Sequence, residues 1–492
     1  MRILLIDPPF KRFTGFANFY FPIGLSYVGA ILEKAGHHVA ILDVDAIKQT
    51  TGLDFSDEYN KLELYKQGIN NDTHPVWQEI EKILSEWCPD LVGITAMTPK
   101  IGSVIKTAQL VKKVNPNCPV VVGGPHATLQ PELTMKCSAI DVVVKGEAEN
   151  VIAKLVAALQ SKNDLSTIQG ISYRLSNRVI HNQPAELLAD LDQVPFPGRH
   201  LLMNPENYSS ENMGVIMTSR GCPYNCSYCC HLWGRKVHNR SINNIINEIK
   251  LVIEKFGTTQ FEFKDDSFTA DRQRIMNLCD TLMNENIKIN WGCSTRVNLL
   301  DEQLARKMKL AGCNVIKLGI ETGSQRILDK TDKGITFAQV RQTAKLLNRL
   351  GIFWSGYFMF GLPTETEEDM QKTYRFMKEI NPYYAGLGVY NPFPKTKLFD
   401  EAVALGLLYP EVELDHFFKT NPKDYFFKDP DKRVLNMSKE KFEEISKMMS
   451  RQFHRHNTKL INLLRRGWAR RLVYKRSPAV FYADIKKVLQ WV

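Results

Sequence analysis

Cysteine is scarce in this chain of 492 residues, with ten in all and six of those isolated. Thiols so thinly spread cannot build the disulfide framework of a small secreted scaffold. Long apolar runs are missing as well. No stretch reaches the roughly 18 consecutive apolar residues that a membrane-spanning helix needs. The first apolar run, Ile3–Ile6, stops at Pro8-Pro9 and is too short for a secretory signal. Together these features lead us to expect a protein of the reducing cytoplasm. Neither GxGxxG nor GxxxxGK followed by Ser or Thr occurs, so the usual dinucleotide and P-loop readings have no support. Hydrophobic residues at 44% and charged residues at 24% exclude a disordered or collagen-like chain. The length favours roughly two to four domains.

What is present is an excess of positive charge: 64 Lys and Arg against 53 Asp and Glu. It is local. Residues 451–492 hold eleven basic groups and a single acid, Asp484, so the first 450 residues are nearly neutral. In that tail Ile461, Leu464, Trp468 and Leu472 recur at helical spacing among Arg465, Arg466, Arg470 and Arg471. Two readings stand side by side: a basic interfacial helix with an aromatic anchor, or a terminal helix packed on the domain with its basic face in solvent. No recognised nucleic-acid motif accompanies the charge, so nucleic acid is not an expected partner.

The first 160 residues alternate strand and helix. Strands are expected at 3–6, 40–45, 91–98, 119–124 and 141–147, with helices at 24–36, 76–87, 104–114 and 151–160 and a polar, irregular stretch at about 47–73. This is the pattern of a flavodoxin-like, doubly wound parallel sheet, an α/β fold. Ligands of such sheets bind beyond the carboxyl ends of the strands. Those ends carry Pro8, Thr95, Thr98, Gly123, Gly124, His126, Gly146 and Glu147. An ordinary sheet with tight turns fits the same pattern. Residues 161–205 are strand-poor and read as a linker.

From 206 to 400 a second alternation gives six strands, at 215–218, 261–266, 289–294, 315–321, 353–361 and 387–393, as expected of a partial (β/α)6 barrel. Residues 401–492 are expected to form a helical, basic C-terminal extension. Polar residues gather at the carboxyl ends of the barrel strands, where barrel chemistry sits: a cysteine loop, Asp265-Asp266, Ser294, Arg296 and Glu321. Cys222, Cys226 and Cys229 are spaced C-x3-C-x2-C. Three thiolates on an iron–sulfur cubane leave one iron open to an exogenous ligand. Zinc is the competing metal, but it usually takes four ligands in paired spacing, and only His231 and His238 are at hand to complete such a site. Cys230 and the six isolated cysteines (Cys88, Cys118, Cys137, Cys279, Cys293 and Cys313) are expected to be core thiols.

The segment SRGCPYNCSYCC resembles the cluster loop of the radical S-adenosylmethionine (radical SAM) superfamily, with Tyr228 before the third cysteine. GIETGSQRILDKTDKG (319–334), FMFGLPTETEEDM (358–370) and NPFPKTKL (391–398) resemble its downstream motifs. PIGLSYVGAILEKAGHHV, GGPHAT and GEAE resemble the cobalamin-binding domain that many such proteins carry, and DLDQVPFPGRHLL resembles the segment joining the two. The match runs in order from residue 1 to about 400.

The resemblance implies a 4Fe–4S cluster on Cys222, Cys226 and Cys229, with SAM on the fourth iron, and cobalamin in the first domain. It implies that Asp266 contacts the SAM amine, that Ser294 and Arg296 hold its ribose and carboxylate, and that Glu321 reaches the ribose. The family often has Gly-Gly-Glu after the second strand, where this chain has Lys264-Asp265-Asp266, as in the cobalamin-dependent subclass. No DxHxxG occurs, so His126 is not expected to ligate cobalt. The implied reaction is methylation of an unactivated carbon through a 5′-deoxyadenosyl radical and methylcobalamin. Radical cyclisation, rearrangement or oxidation is the alternative, and a non-catalytic cobalamin- or metal-binding regulator is the other. Implied partners are a low-potential donor such as flavodoxin or ferredoxin and a small-molecule, lipid or tetrapyrrole substrate. The basic tail adds the prospect of peripheral contact with the inner face of a membrane.

Overall fold

Strand β1 (Arg2–Asp7) is buried from Ile3 onward because it lies between two parallel neighbours, β2 (His38–Asp43) and β3 (Leu91–Thr95). A strand enclosed in this way reads as a continuous apolar run rather than an alternating one. The computed structural model describes residues 1–15, 20–47, 61–176, 178–476, 481, 482 and 485, and forms two units. In the first, β4 (Val120–Gly123) and β5 (Val142–Val144) complete a parallel order β2-β1-β3-β4-β5, the flavodoxin-like arrangement. The switch point of strand order therefore falls between β1 and β3.

Three sequence expectations are corrected here. Residues 161–205 are not strand-poor: β6 (Ile171–Leu175) and β7 (Arg178–His181) extend the sheet antiparallel to β5. These strands are short, and β7 has no buried residue, so their apolar pattern is weak. The polar stretch at 47–73 contains a helix, Leu62–Asn70, that buries Leu62, Tyr65 and Ile69, while residues 48–60 lie outside the described residues. Finally, Glu411–Tyr425 belongs to the first unit rather than to a C-terminal extension of the barrel. Phe417 and Tyr425 from this return segment are fully buried, Phe417 against His126 and Tyr425 within hydrogen-bonding reach of the Pro99 carbonyl.

The second unit is a six-stranded parallel sheet in the order β15-β14-β13-β12-β11-β8. Its strands are β8 (Val215–Ile216), β11 (Gln260–Phe263), β12 (Asn290–Thr295), β13 (Cys313–Glu321), β14 (Phe353–Phe360) and β15 (Tyr384–Val389). A separate antiparallel pair, β9 (Ser219–Arg220) with β10 (His238–Asn239), brackets the cysteine loop. Helices start at side-chain caps: Ser241, Asp271, Asp301, and the capping boxes of Thr336 with Gln339 and Thr366 with Asp369. Such caps contribute about 1 kcal/mol each. The sheet and those helices share one apolar core, which includes Phe263, Trp291, Ile316, Trp354 and Phe358 from the strands. Five of the isolated cysteines are buried as expected, but Cys88 is exposed at the end of the helix Pro75–Trp87.

Candidate functional site

The cysteine loop hangs from a stem fixed on both sides. Asp265, at 4% exposure, accepts the Thr218 amide at 2.7 Å and the hydroxyls of Thr218 and Ser219. Arg240 donates to the Met217 carbonyl at 2.9 Å and Arg274 to the Thr218 carbonyl at 2.6 Å. Arg240 is itself held by a buried ion pair with Glu248 at 2.6 Å. Gly221 has φ of 92°, and a side chain there would run into the Lys236 carbonyl, so only glycine closes this crossing. Further along, Ser227 ties the loop to the Lys330 and Thr331 carbonyls at 2.9 Å each.

Cys222 and Cys226 are half-buried and Cys229 is exposed. Although the residue as a whole is exposed, desolvation of its sulfur within the loop, then the neighbouring thiols and Asp266, push the Cys229 thiol up to about 12. A cationic cluster reverses that ordering, because a coordinating thiol loses its proton outright. Among the described residues no three ligating side chains converge on a single ion, and His231 and His238 join no such group. Zinc needs that convergence, whereas a cluster takes each thiolate on a separate iron. Three thiols in one loop at C-x3-C-x2-C spacing are the donor set that fits such a cluster.

Around the loop, the residues expected to meet SAM divide into committed and available ones. Arg296 is committed: its guanidinium lies 3.6 Å over the Tyr224 ring, 3.4 Å from Cys226 Sγ, and bonds the Lys333 carbonyl. Glu321, at φ of 69°, is gripped through Oε1 by Lys333 Nζ at 2.6 Å and by the Tyr228 hydroxyl at 3.0 Å. A non-glycine residue in that conformation stores strain, a common feature of functional sites. Asp266 reaches solvent and accepts the Gly221 amide at 3.2 Å; crowding by the loop raises its carboxyl above the usual range. Ser294 is half-buried on β12. Sequence reasoning missed Lys333, although it lies within the quoted 319–334 motif, and gave Asp265 no role of its own beside Asp266.

In the first unit the switch point carries a buried charge cluster. Lys100, after β3, pairs with Asp7 at the end of β1. Asp43 and Asp45 stand beside them, 5% and 1% exposed, with Asp45 accepting the Phe10 and Arg12 amides at 2.9 and 3.0 Å. Burial raises the Asp45 carboxyl. Pro8 is buried in the same place. Next to it, Thr98 Oγ1 lies 3.1 Å from His126 Nδ1, while His126 Nε2 is buried with no partner among the described residues. Burial lowers the His126 imidazole to about 4, so it is neutral at physiological pH. Gly124 has φ of 99°, and a Cβ there would lie 3.0 Å from the Ala96 carbonyl oxygen and 3.1 Å from the Thr95 hydroxyl. A side chain at Gly146 would meet nothing within 4 Å, and at Gly123 nothing nearer than 3.9 Å. These open, glycine-lined strand ends with one orphaned imidazole nitrogen fit a broad ligand approached by backbone. Glu147 differs from the rest: its carboxylate accepts the Leu188 amide at 2.6 Å, a structural duty.

A B12-binding domain model matches residues 14–156, and a Radical SAM superfamily model matches residues 216–377. The chain is 34% identical over 461 residues to an uncharacterized methyltransferase of Pyrococcus horikoshii, with 92% of each chain covered. It is 29% identical to an anaerobic magnesium-protoporphyrin IX monomethyl ester cyclase of Rubrivivax gelatinosus, over 86% of this chain and 72% of that one. Among solved structures, the radical S-adenosylmethionine methyltransferase TsrM of Kitasatospora setae, with cobalamin and a 4Fe–4S cluster bound, aligns with a TM-score of 0.67. That alignment covers 92% of this chain and 88% of the other at 18% identity, a likeness of fold.

Proposed function

The chain belongs to the B12-binding radical SAM proteins, and on that premise we propose that it is a cobalamin-dependent radical SAM methyltransferase acting on an unactivated carbon. The observation that carries this reading is the three-thiol loop clamped at the carboxyl end of a six-stranded parallel barrel, in one chain with a B12-binding sheet. When bound, the cluster and SAM supply a 5′-deoxyadenosyl radical and cobalamin supplies a transferable methyl group.

The chain's own residues divide the remaining work. Cys222, Cys226 and Cys229 hold three irons. Asp266 offers its carboxylate to the SAM ammonium, a charge-assisted contact. Ser294 meets the ribose, and Glu321 has Oε2 left for it once Lys333 and Tyr228 have taken Oε1. Arg296 sets positive charge beside Cys226 and braces the loop, in addition to its expected place near the SAM carboxylate. In the sheet domain, Thr95, Thr98, Gly123, Gly124, Gly146 and Pro8 line the cobalamin side. His126, buried and neutral beside Thr98, would be a wall residue there.

The likeness to the cyclase supports a second outcome, radical cyclisation without methyl transfer. Product analysis separates the two. Methylation forms 5′-deoxyadenosine and S-adenosylhomocysteine together during turnover of the true substrate, and deoxyadenosine alone would contradict it. The reductant is a low-potential donor of the flavodoxin or ferredoxin kind.

The helix Leu460–Arg476 adds a surface. Arg466 donates to the Tyr383 carbonyl at 2.8 Å and Arg465 to the Asn381 carbonyl at 3.2 Å, which fixes the basic side on the barrel. Leu460, Ile461, Leu464 and Trp468 on the other side are 60–72% exposed, the reverse of a helix packed by its apolar face. The Leu472 side chain and most residues beyond 476 lie outside the described residues. No described helix is long and apolar enough to cross a membrane. An exposed apolar stripe in a segment whose sequence holds eleven basic residues suits the surface of an anionic bilayer. Flotation with liposomes containing anionic lipid is expected to carry the full chain and to leave a chain ending at residue 450 behind. Equal flotation of both would reject the contact.

A further inference from the structure

A cavity of about 340 Å³ opens at the amino ends of β12 and β13, the end opposite the cysteine loop. That volume falls within the roughly 300–1,000 Å³ of small-molecule sites. Chemistry in such barrels sits at the carboxyl ends of the strands, so this cavity lies apart from the reaction site. Its lining includes Lys288, Lys309 and Arg471 and no acidic residue. Acids close to it in the chain are taken: Glu285 pairs with Lys250 at 2.7 Å, and Glu302 with Arg306 at 2.6 Å.

The three cations keep donors to spare. The Lys309 ammonium gives one hydrogen bond, to the Leu350 carbonyl, and Lys288 gives none among the described residues. Arg471 uses one N–H on the Trp468 carbonyl at 2.7 Å and lays its guanidinium 4.2 Å from the centre of the Trp468 ring. An ammonium has three donors and a guanidinium five, so most of these have no protein acceptor. Burial first, then the charges of Arg471 and Arg306, lower the Lys309 ammonium. Three helix ends border the cavity, after Asn284, Leu310 and Leu350. Each carries only roughly half a negative charge, which leaves three full cations in excess. The rim is apolar: Leu310 is 76% exposed, Trp468 70% and Met283 38%. Cations ringed by exposed apolar side chains suit the boundary between lipid headgroups and acyl chains, where tryptophan also settles.

We propose that this cavity seats the phosphate of an anionic phospholipid headgroup on Lys288, Lys309 and Arg471, with Trp468 and Leu310 in the bilayer interface. This rests on reading the helix Leu460–Arg476 as a membrane-contact surface and names what that surface holds. A diffuse basic tail attracts any anionic bilayer. A seated phosphate adds a contact that depends on three positions.

Binding of the full-length chain to phosphatidylcholine vesicles with and without phosphatidylglycerol, at physiological salt, tests the site. Wild type is expected to prefer the vesicles that contain phosphatidylglycerol. Replacing both lysines, Lys288→Gln with Lys309→Gln, is expected to weaken that binding about thirtyfold, roughly a factor of five for each. The pair Lys459→Gln with Lys475→Gln removes the same charge from the tail outside the cavity and is expected to weaken it less than about threefold. Lys288→Arg with Lys309→Arg keeps the charges and is expected to bind within about twofold of wild type. Should the double glutamine variant fail to fold, Lys288→Gln alone alters only an exposed side chain and is expected to lose about fivefold. Equal loss in the two glutamine pairs would show that diffuse charge alone acts, and would overturn the proposal. Saturable binding of glycerol 3-phosphate in solution, with no preference for phosphatidylglycerol vesicles, would overturn it too, by showing a soluble phosphate as the ligand. If wild type prefers those vesicles and the Lys288 and Lys309 variants match it, the headgroup site is wrong and the membrane-contact reading stands. If wild type binds no vesicle, that reading fails and the proposal falls with it.

Discussion

Cys226→Ala is expected to lower 5′-deoxyadenosine formation by at least about 100-fold and to cut iron retention well below the roughly four per chain of a complete cubane. The thiol it removes is the one that Arg296 approaches at 3.4 Å, between two other cysteines whose spacing leaves no substitute ligand. Cys230 is the nearest candidate, and it already follows the third ligand directly in the chain. The loop itself should persist in the variant. Its stem is held by Asp265, Arg240 and Arg274, and its far side by Ser227, none of which depends on the cysteine. Unchanged circular dichroism with lost iron and lost deoxyadenosine is therefore the expected combination. A variant that kept its cluster and its activity would show that the three thiols are not the ligand set.

Lys100→Met is expected to destabilise the first unit by about 3 kcal/mol, the effect of stranding a partly buried carboxylate by removing its partner. Asp7, Asp43 and Asp45 all act on the Lys100 ammonium, which stands at the switch point between β1 and β3. Methionine keeps the length of the side chain and removes the charge. The pH dependence of the deficit is diagnostic. Asp45 is already raised by burial, and losing the lysine raises it further. A carboxyl whose folded value lies above its unfolded value binds more protons in the folded state, so the folded state gains relative stability as pH falls. The deficit of the variant should thus be largest near neutral pH and shrink as the acids protonate. Thermal unfolding of both proteins across that pH range checks it; a deficit that grows on acidification would contradict the assignment. Because Lys100 immediately follows Thr98-Pro99, the same variant should also weaken cobalamin binding.

The two halves of the fold were legible in the sequence for different reasons. Enclosed parallel strands such as β1 and β3 are unbroken apolar runs, and the helix starts at Ser241 and Thr336 carry side-chain caps, so both declare themselves locally. Strands β6 and β7 do not, since both are short, β7 has no buried residue, and their pairing depends on a partner elsewhere in the chain. Nothing local tells that Phe417 and Tyr425 pack in the first unit, because burial of an aromatic residue names no partner. The same division runs through the site. The C-x3-C-x2-C spacing is local to the sequence, and the role expected of Asp266 comes from the family resemblance. The commitment of Arg296 to Tyr224 and Cys226, the grip of Lys333 and Tyr228 on Glu321, and the duty of Glu147 toward Leu188 arise only from tertiary contact.

The central claim, that one chain joins radical SAM chemistry to cobalamin, is tested most directly by anaerobic reconstitution of the purified protein with iron, sulfide and cobalamin, followed by SAM and dithionite. Retained cobalamin and dithionite-dependent release of 5′-deoxyadenosine are expected. A protein that keeps cobalamin and iron yet releases no deoxyadenosine would contradict it and favour a binding or regulatory role.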